Sequence, residues 1–378
     1  MLFAALVLGC IDFIRRNEWP GIPRVAWAGF VFVAVMALVT VLGPFSERGI
    51  PKLRKLLWFA GIPVAANLVR GPKQITGVLS AFAAGTGVLC LERCFLRPYQ
   101  AFMAVQSGEA PGFLGELIRI GSMTDGQMLM LGIIASFGII SAARSEGRNI
   151  YGWTVLLVLQ FAGLVMNFKR GSWFVCGIIV VIFLSMKRKW GWLVMVAALA
   201  AATCILPPVR ARLMDLRGEI GPEGGERWAM WTRVAPSLME KYPWGVGYRT
   251  LTNKMNVRRA PGFIAPHRDH LHSNVVQVLV AGGWAGLLAY LFWMWRAFSE
   301  GFTFVRRTAE KDESESTGSA VLLLMLTALF LNGFVEYNLG DAELALVYGI
   351  VIGCIAAGCR QTKEPAGMEF GGLHRVLE

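Results

Sequence analysis

Long apolar runs separated by polar connections constrain this chain more than any other feature of its sequence. Val25 to Gly43, Ile75 to Phe95 and Met123 to Ala143 are clear examples. Each reaches the roughly 17–25 residues that an α-helix needs to cross a hydrocarbon core of about 30 Å. Hydrophobic residues make up 55% of the chain and charged residues only 16%. We therefore predict an all-α polytopic membrane protein with about 10–12 transmembrane helices.

A single long polar segment interrupts the apolar runs. Residues 208–274 contain eleven Lys or Arg and six Asp or Glu residues, and three of the four histidines lie at the segment's end, in HRDHLHSN. We predict N-terminal transmembrane helices in residues 1–207, a loop outside the membrane in 208–274, C-terminal transmembrane helices in 275–359 and a cytoplasmic tail in 360–378. The excess of positive charge in the loop favours an anionic partner.

Basic residues in the short connections predict how the helices are oriented. The connections at 144–148 and 187–189 are rich in Arg and Lys. Cytoplasmic connections carry an excess of such residues, so these two belong inside, and the loop 208–274 belongs outside together with Arg170. The basic stretch 48–55 is an exception, because the same count puts it outside. The net charge of +12 lies mainly in connections, so we expect membrane lipids as neighbours and no nucleic-acid partner.

Polar and titratable side chains gather in the predicted outer region. They are Arg170, Arg227, His270, His272, Asn274, Glu336 and Asp341. An imidazole, whose pKa is ordinarily about 6.5, can take a proton from a hydroxyl near neutral pH. Guanidinium groups stay charged and bind phosphate oxygens in a bidentate fork. A His base beside two or more Arg fits the transfer of a group from a lipid-linked pyrophosphate, and such a site needs no metal.

These residues also have simpler interpretations. Arg170 could be an interfacial anchor, Ser273 and Asn274 could cap a helix, and Glu336 and Asp341 could pair with loop arginines. Three histidines in a short stretch could bind a metal, but their spacing fits zinc poorly, and we expect none. Spacing alone leaves both an outer-face transferase and a transporter open.

Six motifs in this order resemble the O-antigen ligase family, between Arg119 and Gly358. They are RIGSMTDGQM, KRGSW, PPVRARLMDL, RWAMWTRVAPSLMEKYPWGVGY, HLHSNVVQVLVAGGWAGLL and GFVEYNLGDAE. The resemblance implies an all-helical bundle of the GT-C-like kind with one large periplasmic loop over the site. It also implies that the donor is a glycan linked to undecaprenyl diphosphate.

The resemblance further implies roles for particular residues. His272 is the expected catalytic base, and Arg170 and Arg227 are expected to hold the donor pyrophosphate. The expected substrate-binding residues are His270, Asn274, Arg119, Asp341 and Glu336. The family often has Asn directly after the catalytic His, whereas this chain has Ser273 there. His270 therefore stays an alternative base.

The combined prediction is an inverting, metal-independent glycosyltransferase of the bacterial inner membrane that uses no cofactor. It would move a glycan from undecaprenyl diphosphate to a hydroxyl of lipid A-core at the periplasmic face. A polysaccharide polymerase or a protein O-oligosaccharyltransferase of the same superfamily is the alternative, because donor-site motifs do not separate acceptors. A transporter of a lipid-linked or anionic solute would need ionisable residues at mid-membrane, where the sequence offers mainly Asn67, Asn167 and Asn332.

Overall fold

The computed structural model of the protein describes residues 21–110, 112–214, 226–251 and 270–362, and these residues form helices and turns without any strand. The first 20 residues of the predicted N-terminal region, much of the loop 208–274 and nearly all of the tail 360–378 lie outside the described residues. Nine apolar helices dominate the described part: α1 Arg24–Leu42, α2 Pro72–Leu91, α3 Met123–Ser145, α4 Tyr151–Met166, α5 Arg170–Met186, α6 Trp190–Ile205, α7 Asn274–Thr308, α8 Glu313–Asn332 and α9 Ala342–Gln361.

Six of these helices are long and apolar enough to cross a membrane, namely α1, α2, α3, α7, α8 and α9. The helix that contains α2 continues through a π-helical turn, Glu92–Leu96, and a further helix, Arg97–Gln106. The helices α4, α5 and α6 are shorter but equally apolar. The prediction of an all-α polytopic membrane protein is therefore confirmed. Two short helices, Arg97–Gln106 and Phe113–Arg119, lie in the region 96–122 between α2 and α3.

One further segment runs the length of the bundle without being a regular α-helix. It consists of a 3-10 helix, Ile50–Ala60, followed by a short α-helix, Gly61–Leu68. Near its start, the Lys52 ammonium donates to the carbonyl oxygen of Arg249 at 2.7 Å. Near its end, the Asn67 amide accepts from Arg360 at 3.4 Å. A 3-10 helix rises about 2.0 Å per residue, so this weakly apolar stretch covers the distance in fewer residues than an α-helix needs.

Four helices begin at the same end of the bundle, which we call the site face. The backbone N–H of Asn274, at the start of α7, donates to the Gly333 carbonyl at 2.6 Å. The Thr124 hydroxyl, in the first turn of α3, donates to Asp341 just before α9 at 2.8 Å. A Cβ placed on Gly171, in the first turn of α5, would lie 3.4 Å from Val335. The α3, α5, α7 and α9 N-termini therefore converge on the 333–341 connection.

The opposite ends of these helices carry the basic connections. Arg144 lies in the last turn of α3, Arg306 and Arg307 in the last turn of α7, and Arg360 in the last turn of α9. Lys187 directly follows α5. This separation of basic ends from the site face follows the arrangement predicted from the connections.

The interior and the periphery of the bundle differ in burial. The helices α3 and α9 are almost wholly buried and supply core residues such as Leu129, Met130 and Ile352. The helix α6 has no buried residue at all, although it is as apolar as the rest. Apolar side chains exposed on the outside of the bundle, such as Leu288 on α7 and Trp27 on α1, are what a lipid environment accommodates.

A glycine turn and a broken helix fit together at the site face. Gly283 adopts φ 63° and ψ −166° inside α7, which interrupts the helical hydrogen bonding there. The carbonyls of Val280 and Ala281 instead accept the backbone N–H groups of Val246 and Gly247, at 3.0 and 2.9 Å. Buried backbone groups must be paired, and the turn supplies N–H donors for the carbonyls that the kink leaves without helical partners. The motifs YPWGVGY and AGGWAG are thus two halves of one contact.

Candidate active site

A polar cavity opens at the site face beside the start of α7. Its volume is about 460 Å³, and its lining residues are Met123, Thr124, Gln127, Arg249, His270, His272, Glu336, Tyr337, Gly340 and Asp341. Four of these, His270, His272, Glu336 and Asp341, are residues that the sequence had singled out. The cavity therefore gathers polar groups from α3, from Arg249 after the glycine turn, from the residues before α7 and from the 333–341 connection.

His272 is held rigidly at the entrance to α7. Its side chain is buried and its backbone adopts φ 49°, a left-handed conformation that residues other than glycine seldom adopt. The preceding Leu271 is fixed on both sides, since its N–H donates to Gln277 at 2.8 Å and its carbonyl accepts from the Trp231 indole at 2.7 Å. The following Ser273 caps the helix by accepting from the N–H of Val276. Backbone strain of this kind persists only where the surroundings impose it.

Glu336 joins His272 to Arg227. One carboxylate oxygen lies 3.3 Å from Nδ1 of His272, and the other lies 2.6 Å from Nη2 of Arg227. The Arg227 guanidinium also donates to the Val335 carbonyl at 3.0 Å. The three side chains form a continuous chain from a base to a fixed cation through a buried carboxylate. Glu336 thus lies between these two residues and also lines the cavity, and its expected contact with substrate stays a prediction.

The surroundings of Glu336 keep its carboxyl ionised. Burial acts to raise the pKa of this carboxyl, but the hydrogen bond from His272 and the positive charge of Arg227 outweigh burial. The pKa of Glu336 is therefore lowered from its ordinary value. A buried carboxylate that is charged at neutral pH can accept a hydrogen bond from a protonated Nδ1 of His272.

Asn274 lies behind the cavity and not on its wall. Its amide donates to the side chain of Asn338, and its carbonyl oxygen accepts the N–H of Leu339 at 3.2 Å. Asn338 in turn donates to Gln127 of α3 at 3.1 Å. These contacts clamp the connection that carries Glu336 against α7 and α3. The structure thus gives Asn274 a positioning contact, and its expected contact with substrate stays a prediction.

Arg249 and Thr124 are among the lining residues that the sequence did not single out. Arg249 follows the glycine turn, adopts φ 55°, and donates to the Gly340 carbonyl at 2.8 Å. Thr124 donates to Asp341. The signal for Arg249 was its position directly after Gly-Val-Gly-Tyr, a turn that glycines at φ 98° and 97° make possible. The signal for Thr124 was its place in the RIGSMTDGQM motif.

The remaining predicted site residues lie at different distances from the cavity. His270 lines it, with its ring centroid 4.4 Å from that of His272. Arg170 is buried at the first position of α5, next to Gly171, which adjoins Val335. Arg119 is not a lining residue: its side chain is 73% exposed and pairs with Glu116 on its own short helix at 2.5 Å.

The electrostatics of the site favour an anion. The N-termini of α3, α5, α7 and α9 meet here, and each contributes the positive end of a helix dipole. Arg170, Arg227 and Arg249 add fixed positive charge. Within the ranges described, no group of three or more His, Cys, Asp or Glu side chains is arranged to hold a metal ion.

Comparison with known proteins relates this site to one family. Residues 155–291 match the family model described as O-Antigen ligase, a family of the glycosyltransferase or ligase type. The matched region contains Arg170, Arg227, His270, His272 and Asn274, and it ends before the connection that carries Glu336. No curated protein matches the chain at a significant level. The match supports the resemblance seen in the motifs: residues 155–291 of this multi-pass membrane protein are similar to the O-antigen ligase family.

Proposed function

We propose that the protein transfers a glycan from undecaprenyl diphosphate to a hydroxyl group of an acceptor, with inversion at the anomeric carbon. The observation that carries this proposal is the chain of contacts from His272 through Glu336 to Arg227 beside a 460 Å³ cavity. It joins a proton acceptor to a fixed cation at the end of the bundle where four helix N-termini converge. The similarity of residues 155–291 to the O-antigen ligase family supports the same general chemistry.

His272 is the proposed general base. A proton on Nδ1 that is donated to Glu336 places the lone pair of the ring on Nε2, as in other His–carboxylate pairs. Nε2 takes the proton of the acceptor hydroxyl while that oxygen bonds to the anomeric carbon. The bond from this carbon to the diphosphate oxygen breaks, and undecaprenyl diphosphate leaves with the electron pair. A single displacement of this kind inverts the configuration.

Arg227 and Arg170 are the proposed partners of the diphosphate. Arg227 uses one N–H toward Val335 and one toward Glu336, and a guanidinium has five donors, so others remain for phosphate oxygens. Its side chain is 25% exposed, which leaves it accessible. Stabilising charge on the leaving group is a large term in transfer reactions of this type. No step in this scheme needs a metal ion or a cofactor.

The proposed setting is the bacterial inner membrane, with the site on the periplasmic side. The basic ends of α3, α5, α7 and α9 lie opposite the site face, and an excess of Arg and Lys favours the cytoplasm. The proposed acceptor is a lipid A-core hydroxyl. A polymerase or a protein O-oligosaccharyltransferase would use the same donor site, and product analysis separates the three.

The positions of the buried charges weigh against a transporter. In the part of the chain that the structure describes, the buried Arg and Glu residues are Arg93, Arg170 and Glu336. Arg93 pairs with Asp125 in the first turn of α3, and the other two lie beside the 333–341 connection. All three are at the site face, whereas transport sites are built near the bilayer midplane.

The test is a transfer assay with purified protein in proteoliposomes, using an undecaprenyl-diphosphate-linked glycan and lipid A-core. Wild-type protein should form the linked product. His272→Ala should lower kcat about a hundred- to ten-thousand-fold, the usual contribution of a general base. His270→Ala is the matched control and should retain most activity. If His270→Ala loses activity and His272→Ala does not, the base is His270; wild-type protein that releases no undecaprenyl diphosphate with any hydroxyl acceptor contradicts the proposal.

A further inference from the structure

A second group of cations reaches the cavity from the opposite end of the 336–341 segment. Arg227 is held at Glu336, whereas Arg249 is held at Gly340, to whose carbonyl it donates at 2.8 Å. Arg249 lines the cavity, and its own carbonyl accepts from the Lys52 ammonium at 2.7 Å. The two guanidinium groups are thus fixed to separate points of one connection.

Lys55 extends this second group. The pKa of the Lys55 ammonium is lowered, chiefly by the positive charge of Arg249, then by burial, and then by Arg54 and Lys52. The negative charge of Asp341 acts in the opposite direction. The side chain of Lys55 is exposed, and those of Lys52 and Arg249 are partly exposed, so all three can meet a ligand from solution.

Within the described residues, ion pairs do not balance the positive charge of this group. Among the described residues, no carboxylate lies within ion-pair distance of Lys52, Lys55 or Arg249. Asp341 is the nearby acid, and one of its oxygens accepts from Thr124. Like charges placed together repel one another, so an arrangement that keeps them close without a counter-charge favours an anionic ligand.

The same group explains the exception in the orientation of the chain. The basic stretch 48–55 lies on the site face, because Lys52 contacts Arg249 there. Basic residues are normally concentrated on the other side of the membrane, where the ends of α3, α5, α7 and α9 also carry Arg or Lys. The basic stretch 48–55 is an exception to that tendency. A role in binding an anion explains why it lies beside the cavity.

We propose that Lys52, Lys55 and Arg249 form a second anion-binding subsite, which holds a phosphate or carboxylate group of the acceptor while Arg227 and Arg170 hold the donor diphosphate. This inference rests on the proposed function. It assigns an anionic acceptor to the site, and it places the acceptor on the Asp341 side of the cavity, so that its hydroxyl approaches His272 from the side away from Arg227.

The test is binding of radiolabelled inorganic phosphate to the full-length protein in detergent, with and without saturating undecaprenyl diphosphate. Phosphate should still bind when undecaprenyl diphosphate is present. Lys55→Gln should weaken this binding about tenfold, the effect of losing one charge-assisted hydrogen bond, and Lys52→Gln combined with Lys55→Gln should weaken it further. Lys189→Gln, which removes an exposed charge at the opposite end of the bundle, is the control and should leave binding unchanged.

Two results would overturn the inference. One is phosphate binding that the Lys55 and Lys52 substitutions leave unchanged while the melting temperature is that of the wild type. The other is complete displacement of phosphate by undecaprenyl diphosphate, which would assign the cations to the donor. Failure of the protein to bind undecaprenyl diphosphate at all would contradict the proposed function instead. Phosphate binding measured without undecaprenyl diphosphate would still show whether Lys52 and Lys55 bind an anion.

Discussion

Two residues on the cavity wall, His272 and Arg249, adopt left-handed backbone conformations, with φ 49° and 55°. A left-handed residue other than glycine is disfavoured by about 1–2 kcal/mol, so neighbouring contacts must hold it there. For His272 these contacts are the fixed Leu271 and the helix cap at Ser273. The position of the imidazole is therefore determined by backbone geometry as well as by Glu336.

Glu336→Gln should lower kcat by about a hundredfold or more, because a neutral amide orients the His272 ring and stabilises its protonated form less well than a carboxylate does. The KM for the donor should change far less. Glu336→Asp keeps the charge and should recover part of the rate. Glu343→Gln removes an exposed carboxylate nearby and serves as the control. Kinetics in proteoliposomes measure both constants, and a Glu336→Gln enzyme with normal kcat would contradict the role of Glu336 as a positioning residue.

The lowered pKa of Glu336 also predicts how stability depends on pH. A carboxyl whose pKa is lower in the folded than in the unfolded protein stabilises the fold above its unfolded pKa, about 4.3, and this contribution disappears as pH falls through the folded pKa. Between about pH 7 and about pH 5, the melting temperature of the wild type should exceed that of Glu336→Gln by a constant amount. The difference in melting temperature should shrink in stronger acid. A difference in melting temperature that grows on acidification would contradict a lowered pKa for Glu336.

At the scale of elements, the glycine turn and the kink of α7 form the structural support of the site. A Cβ built on Gly245 would lie 2.6 Å from the Ala281 carbonyl oxygen, and one built on Gly283 would lie 2.8 Å from that of Trp244. Neither position can accept a side chain without separating the turn from the helix. The turn also donates from the N–H of Tyr248 to the Thr40 hydroxyl on α1 at 2.8 Å. It therefore ties α1 to α7 and sets the position of Arg249.

Gly283→Ala and Gly245→Ala should each destabilise the protein by about 1–3 kcal/mol or more, because both combine a positive φ with overlap against backbone. Both should also lower activity by displacing Arg249. Gly177→Ala in α5 is the matched control, since a Cβ there meets nothing within 4 Å and alanine favours the helix. Thermal unfolding in detergent provides the measurement. A Gly283→Ala protein as stable as Gly177→Ala would show that the contact is dispensable.

At the scale of the whole molecule, charge divides the bundle into two ends. One end has the cavity, four helix N-termini and the basic stretch 48–55, and the other has the basic C-terminal ends of α3, α7 and α9. The 3-10 and α-helical segment 50–68 connects the two ends, with Lys52 at one and Asn67 at the other. In the proposed orientation, an anionic substrate approaches the cavity end from the periplasmic side.

Labelling of single cysteines tests this orientation. In a background from which the seven native cysteines have been removed, Arg54→Cys and Trp244→Cys should react in intact spheroplasts with a thiol reagent that cannot cross the membrane. Lys189→Cys and Glu310→Cys should react only after the membrane is permeabilised. All four native side chains are exposed. Labelling of Lys189→Cys before Arg54→Cys would reverse the assignment of the two faces.

The sequence by itself determined the class of fold, the orientation prediction and four of the ten residues that line the cavity, because hydropathy and charge act locally along the chain. These four are His270, His272, Glu336 and Asp341. Only the tertiary structure decided how they are paired. His272 and Glu336 are 64 positions apart, and their contact depends on how Asn274 clamps the 333–341 connection against α7.

Other features also depended on packing between distant segments. Arg249 reaches the cavity because a glycine turn fills the gap in α7, and the basic stretch 48–55 reaches the site face because a 3-10 helix crosses the bundle there. Arg119 was expected to bind substrate because it lies in the RIGSMTDGQM motif. In the structure it pairs with Glu116 away from the cavity. Side-chain type and spacing specify which groups are available. Which of them meet is set by long-range backbone contacts, which leave no periodic trace in a single sequence.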